Sequence, residues 1–315
     1  MFVSVVIPTH NRRVQVLRAI AALLKQDYQR ASYEVIVCCD RCTDGTEQAL
    51  QSTFGDQIII IQSSIPGPSA ALNKGWRRAG GELMIGVDDD MEPVEGFIKA
   101  HVISHRDNGN SKIAVTGYSP AAFAQDPAPV IRHLARSFEQ HFDELERPGH
   151  QSTPLDIGAG NFSIPISTME EVGGFNERYP FQRSDFELAV RLLEKGYKFP
   201  FARDARAKHW ITIDPDTLIG RATERARCDY RLSREHSWCL PYLQFYRPLH
   251  DPAARRRWRV LWECCGAAAM TCNALRKVSP DSGRLSGMEY LARYCIGLRE
   301  EVGTWSDFCR LAMKT

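Results

Sequence analysis

The sequence predicts an α/β fold: a mainly parallel central sheet flanked by helices, followed by a helical C-terminal extension. Three observations predict it. Short β-branched runs alternate with helix-length stretches of 3.6-residue periodicity through residues 1–90, the pattern of βαβ units. Polar and acidic residues gather where those runs end, as at the ligand-binding edge of an open parallel sheet. The charge balance then changes sign: residues 1–202 carry 20 basic and 25 acidic side chains, residues 203–315 carry 20 and 13.

The elements follow in order. Val3 to Pro8 is a buried strand ended by proline, and Arg12 to Gln26 a helix burying Val16, Ile20 and Leu23. Glu34 to Asp40 is a second strand and Asp44 to Ser52 a second helix. Gln57 to Gln62 forms a third strand. Gly67 to Ala79 forms a third helix with Pro68 in its first turn, where proline costs little. Glu82 to Val87 is a fourth strand running directly into Asp88-Asp89-Asp90. Residues 119–155 are proline-punctuated, with a helix over Val130 to Leu145 that we expect to pass over the site. Ile157 to Pro165 reads as a strand, and Arg183-Ser184-Asp185 opens a helix stopped by Gly196. Tyr197 to Phe201 and Ala205 to Ile211 read as two further strands, and from Leu218 the chain is arginine-rich and mainly helical.

Composition narrows the function. Hydrophobic residues make up 43% and charged residues 25%, which excludes disorder, collagen and a small disulfide-stapled fold. A net charge of +2 excludes a broadly basic nucleic-acid binder. Met1 to Pro8 lacks a basic lead-in, so no signal peptide is expected. Val260 to Leu275 is interrupted by Glu263 and Asn273 and is too short to span a bilayer. Ten cysteines without a regular framework suit a reducing compartment, so the expected location is cytoplasmic, with room for peripheral contact at the inner membrane face. Cys39-x-x-Cys42 reads as redox-active or half a zinc site, but no second ligand pair accompanies it. The remaining histidines, His141 and His150 among them, show no ligand spacing with an acidic partner.

The first strand lacks a following G-x-G-x-x-G, and no G-x-x-x-x-G-K-[ST] occurs, which argues against NAD-type and P-loop phosphate binding. The acidic triplet points instead to a divalent cation. Side chains alternate along extended chain, so Asp88 and Asp90 can face one way and Asp89 the other. Three aspartates in a solvated turn is the competing reading.

Several segments together resemble the inverting family-2 glycosyltransferases of the GT-A fold. Val5-Val6-Ile7-Pro8-Thr9-His10-Asn11-Arg12 resembles their V-V-I-P-x-x-N-R opening. Gly67 to Gly75 matches G-x-x-x-A-x-N-x-G, and Asp88-Asp89-Asp90 matches D-x-D. Gly160-Asn161-Phe162, Gly173-Gly174-Phe175 and Asp185-Phe186-Glu187-Leu188 follow in order as acceptor-side motifs, with His209 where many members carry a late metal ligand. The similarity covers residues 3–211. Two departures touch acidic positions: Cys39 stands for an aspartate after the second strand, and Ser184 for a glutamate before Asp185.

The resemblance implies a metal-dependent inverting transferase, carrying a sugar from a nucleotide-diphosphate donor to a hydroxyl on a glycan, lipid-linked glycan or natural product. UDP, the family's commonest carrier, is the expected donor nucleotide. It implies metal ligation by Asp90, His209 and Asp88 with Mn²⁺ or Mg²⁺, and Asp185 as base. It places the donor on Pro8, Thr9, Asn11, Arg12, Asp40, Asn73, Lys74, Asp88 and Asp89, and the acceptor beside Gly160, Asn161 and Ser184. Asp185 and Asp44 also read as helix N-caps, and Lys74 as a phosphate contact or a solvent-facing side chain.

The implied division is a glycosyltransferase domain over 1–212, its donor half 1–118 and acceptor half 119–212, with a helical extension over 213–315. That extension has three readings: a solvated arginine face, a lid over phosphate or acceptor, or a membrane-surface helix bearing Trp258 and Trp262. Its helices could also pair copies of the chain. Two other functions compete for the whole chain. Haloacid-dehalogenase-type phosphotransfer also places D-x-D after a strand, but Met91-Glu92 follows Asp90 where that class has x-[TV]. A non-catalytic relative that binds a nucleotide sugar or scaffolds a complex also competes, because the Cys39 and Ser184 departures touch acidic positions.

Overall fold

The computed structural model describes residues 1–109 and 112–311. The chain divides into two compact units, Met1–Ala124 with Phe138–Ile211, and Gln125–Ser137 with the residues from Thr212 onward.

The first unit opens with β1 (Val3–Thr9), α1 (Arg13–Leu23), β2 (Tyr33–Asp40), α2 (Thr46–Phe54), β3 (Ile59–Ser63), α3 (Pro68–Arg78) and β4 (Leu83–Val87). It continues with β5 (Met91–Pro93), α4 (Phe97–Asp107), β6 (Val115–Tyr118) and β7 (Ala121–Ala122). Then come α5 (Pro129–Leu145), whose first half belongs to the other unit, β8 (Asn161–Pro165), α6 (Ile166–Val172), α7 (Ser184–Glu194) and β9 (Phe201–Trp210).

The strands form one mixed sheet in the order β3-β2-β1-β4-β8-β6-β9-β5, with β7 also pairing β9. β1 to β4 are parallel to one another, β8 is antiparallel to both β4 and β6, and β5 is antiparallel to β9. Alternation along β1 builds the core. Val3, Val5 and Ile7 pack on one side with Val16, Ile20, Leu23 and Leu50, while Val6 packs on the other with Ala71, Leu72 and Trp76. The second contact is close: a Cβ on Gly75 would lie 2.2 Å from Val6 Cγ1, so only glycine lets α3 reach the sheet there.

Three boundaries differ from expectation. Ile157 to Gly160 is not strand, because the chain turns there, with Asn161 N–H donating to the Gly158 carbonyl. The two expected late strands are one: Tyr197 to Pro200 meet the chain before and within β6 through a Lys198 bridge and the Pro200 carbonyl, which accepts from Thr116 N–H, and β9 is continuous from Phe201. α4, β5, β6 and β7 went unread; for β5 and β6, three residues ending in Pro93 and four containing Gly117 carry almost no periodic signal.

The second unit holds α8 (Pro215–Glu235), α9 (Tyr246–His250), α10 (Pro252–Val278), α11 (Gly283–Val302) and α12 (Trp305–Leu311). Asp214, Asp251 and Ser282 cap α8, α10 and α11 by accepting N–H bonds from the first turns. α8 and α11 cross at Gly297, whose Cβ would meet the Thr223 carbonyl at 2.3 Å. Trp262 is buried against Phe308 and Trp305, and Trp258 stacks on Phe308. Trp262 therefore belongs to this unit's core and Trp258 is half-buried against it, which corrects the reading that Trp262 faces a membrane. On α8, Arg227 bonds Glu300 at 2.6 Å. No described helix is long and apolar enough to cross a membrane.

Candidate active site

The carboxyl ends of β1, β2 and β4 meet at one edge of the sheet. Thr9 and Asp40 end their strands, and Asp88-Asp89-Asp90 turns off β4, with Met91 N–H donating to the Asp88 carbonyl. Asn11 and Arg41 hold φ of 51° and 47°, left-handed values that β-branched residues avoid. Asn11 ties the two loops together, its Oδ1 accepting from Thr43 N–H at 2.7 Å.

Asp89 is buried, and two groups aim it: Thr9 Oγ1 donates to it at 2.8 Å and Arg12 Nη1 lies 2.5 Å away. Arg12 also reaches Asp90, with Nη2 to Oδ2 at 3.0 Å, so one guanidinium bridges two carboxylates. Burial pushes the Asp89 pKa up to about 6 despite Arg12. Burial, then Asp90 and Asp89, push Asp88 up to about 8, with Arg12 opposing and Asp185 adding to the rise. Asp185, about a hundred residues along the chain, thus adds its charge to the same cluster.

The other side of the cluster comes from late chain. β5 pairs with β9 so that Met91 opposes His209, and Trp210 N–H donates to the Asp90 carbonyl. This register sets His209 Nε2 3.7 Å from Asp90 Oδ1, a buried oxygen with no hydrogen-bond partner. Burial lowers the His209 pKa below the ordinary imidazole value although Asp90 raises it, so the ring is held neutral. Phe138 lies against that ring, centroids 6.0 Å apart. Gly160 borders Asp88: a Cβ there would lie 2.6 Å from Asp88 Oδ2.

Asp185 sits in the first turn of α7, half-buried, its Oδ1 accepting from Phe186 N–H. Arg183, not Asp185, is the cap residue. Neighbouring Ser184 is buried. The buried acid that anchors this helix is Glu187, paired with Arg191 at 2.7 Å and bonded to Asn176.

Other expected residues have different surroundings. Asp40 is buried and accepts from Gly67 N–H at 2.8 Å, fastening α3 to the rim. Pro8 is buried within β1. Asn73 donates to the Phe175 carbonyl and Glu177 and accepts from Phe175 N–H and Trp76 Nε1, so both ends of its amide clamp the Gly173-Gly174-Phe175 segment. Asn161 donates to the carbonyls of Tyr118 and Ala205 and pairs with His101. Lys74 Nζ donates to the Gln62 carbonyl, in a depression of about 550 Å³ that Arg41, Glu47 and Ser64 also line. Asp44 accepts from Thr46 and Arg13 N–H at the starts of α2 and α1, but Gly45, not Asp44, is the cap residue of α2.

Sequence reasoning missed two histidine groups. His101 and His105 are buried on α4, both within 2.9 Å of Ser163 Oγ on β8. His141 and His150 flank buried Asp156, His150 at 2.8 Å, contrary to the expectation that neither has an acidic partner. His101 and His105, four apart on one helix face, carried the only local signal.

The Glycosyl transferase family 2 model matches residues 4–155. The chain is 24% identical over 272 residues to validoxylamine A glucosyltransferase of Streptomyces hygroscopicus subsp. jinggangensis, covering 76% of this chain and 62% of that protein. A mannosyltransferase from Pyrobaculum calidifontis, in complex with GDP-Man and Mn²⁺, superposes with a TM-score of 0.65 at 20% identity, over 95% of this chain and 87% of that one. S. aureus TarS 1–349 in complex with UDP gives 0.55 at 14%, over 97% and 93%. The fold is GT-A, and the match to the glycosyl transferase family 2 model covers just under half of the chain. The chain spans about three fifths of the length of the first curated relatives it matches.

Proposed function

We propose that the protein transfers a sugar, with inversion, from a nucleotide diphosphate to an acceptor hydroxyl, using a divalent cation and Asp185 as base. The observation that carries this reading is the convergence of Asp88, Asp90, His209 and the charge of Asp185 at the tip of β4.

The donor set suits Mn²⁺ or Mg²⁺. Asp90 Oδ1 is buried and unpartnered, and the imidazole facing it is neutral. Among the described residues no three or more His, Cys, Asp or Glu side chains close a cage. Asp90 and His209 would be the protein ligands with Asp88 beside them, as expected of cations that keep waters and share substrate phosphates. When bound, the cation supplies charge neutralisation for the departing diphosphate.

The protein's own groups do the rest. Pro8, Thr9, Asn11 and Asp40 form the wall for base and ribose, and Thr9 and Arg12 hold Asp89 toward it. Lys74, tied to a backbone carbonyl, is a weaker candidate for phosphate. Gly160 leaves room beside Asp88, and Ser184 borders the acceptor. Asp185 takes the acceptor proton as the new glycosidic bond forms and the sugar–phosphate bond breaks on the opposite face. Ser184 in place of an acid leaves Asp185 as the candidate base at the start of α7, and a single displacement needs only one. The UDP and GDP-Man complexes of the structural neighbours support a nucleotide-diphosphate donor without choosing its base.

A thermal-shift panel of UDP- and GDP-sugars, with and without Mn²⁺, tests the donor half. A matching donor at a hundred times its Kd should add about 2.7 kcal/mol, only with metal. Asp185→Asn tests the base: turnover should fall on the order of 10²–10⁴-fold while donor affinity holds. Near-normal turnover would remove Asp185 from the role.

A further inference from the structure

The outward face of α10 does not look like solvent-facing helix. Val260, Ala267, Ala274 and Val278 fall on one line along it, flanked by Met270 and Leu275. Val260 is 67% exposed, Met270 71%, Leu275 50% and Val278 86%. From Val260 to Leu275 the exposed residues include a single charge, Glu263. Water-facing helix surfaces normally carry charged side chains. Here the opposite face, through Trp262, Cys265, Ala269 and Cys272, already fills the unit's core, so α10 is apolar on both sides.

Cations border this apolar face at both ends. Arg256, Arg257 and Arg259 precede it and Lys277 follows, all exposed. We propose that this face docks on an anionic lipid surface, its apolar side chains entering the headgroup boundary and its four cations meeting lipid phosphates. Apolar contact and charge attraction act together in interfacial helices. Charge also decides against a second copy of the chain. Parallel pairing on this face would set Arg257 against Arg257, and antiparallel pairing would bring Arg259 beside Lys277. An anionic bilayer satisfies all four. Trp258 and Trp262 take no part, and the inference stands independently of the transfer reaction.

Flotation of the full chain with vesicles tests it, using pure phosphatidylcholine and phosphatidylcholine doped with phosphatidylglycerol. The protein should float only with the anionic vesicles. The triple variant Arg256→Gln, Arg257→Gln, Arg259→Gln should bind on the order of a hundredfold more weakly. Val260→Ser with Met270→Ser and Val278→Ser should also weaken binding at unchanged charge, with circular dichroism verifying that helix content is kept. Full recovery of the parent protein in the soluble fraction overturns the proposal. So does undiminished binding of the serine variant, which would mark charge attraction alone. A dimer in sedimentation that the serine variant dissolves, without vesicle binding, would assign the face to a second copy.

Discussion

Arg12 is the residue on which the metal-free cluster depends, because its one guanidinium neutralises two carboxylates that β1 and β4 bring together. Arg12→Gln should destabilise the metal-free protein by about 2–4 kcal/mol by leaving buried acids unpaired, read by urea unfolding in chelator. Arg12→Lys should recover only part, since an ammonium cannot bridge both partners in the same fork geometry. The identities of these residues were legible in the sequence, whereas the approach of His209 to Asp90 depends on strand pairing. The engagement of Asn73 and Asn161 was not. Each amide binds groups from segments far along the chain, and nothing in G-x-x-x-A-x-N-x-G says which way a side chain turns.

At the scale of elements, α4 is held to β8 by His101 and His105 on Ser163 and Asn161. Burial lowers these imidazoles to about 3 and about 4. The unfolded chain therefore binds more protons between about pH 6.5 and pH 4, and stability present above pH 6.5 is lost as pH falls through that window. Urea midpoints at pH 7.5 and pH 5 should differ for the parent protein, and His105→Gln should narrow the gap. A pH-independent midpoint would remove this role. Gly75→Ala should cost about 1–3 kcal/mol by driving a methyl group into Val6, measured by the same unfolding. Apart from α4, which the sequence reading passed over, the long, periodic elements of the first unit were readable within a few residues at each end, because each buries a stripe that its own sequence displays. β5 and β6 were not, since their pairing partners rather than their own residues make them strands.

Across the whole molecule the chain separates charge as well as structure, and its second unit is organised by a buried ion cluster. Glu289 is fully buried, bonded to Arg276 at 3.0 Å and to Arg293 and Asn273, and Arg276 also pairs with Asp216. Glu289→Ala should cost about 3–5 kcal/mol, because it strands a buried guanidinium, whereas surface changes such as Arg257→Gln should leave unfolding within about 0.5 kcal/mol. Calorimetry of the two variants distinguishes them. Basic residues spaced along a helix announce neither which arginine is buried nor that Trp262 faces inward.

The sequence by itself determined the alternation of strands and helices, the edge where a ligand must bind, and the acidic triplet there, since periodicity and strand-end chemistry are local properties of the chain. The tertiary structure decided the rest. It set the β5–β9 register that brings His209 to Asp90, the placement of Asp185 near Asp88, and the direction each amide and tryptophan faces. These depend on which distant segments pack together, and a side chain's partner across a hundred residues leaves no mark on its neighbours in sequence.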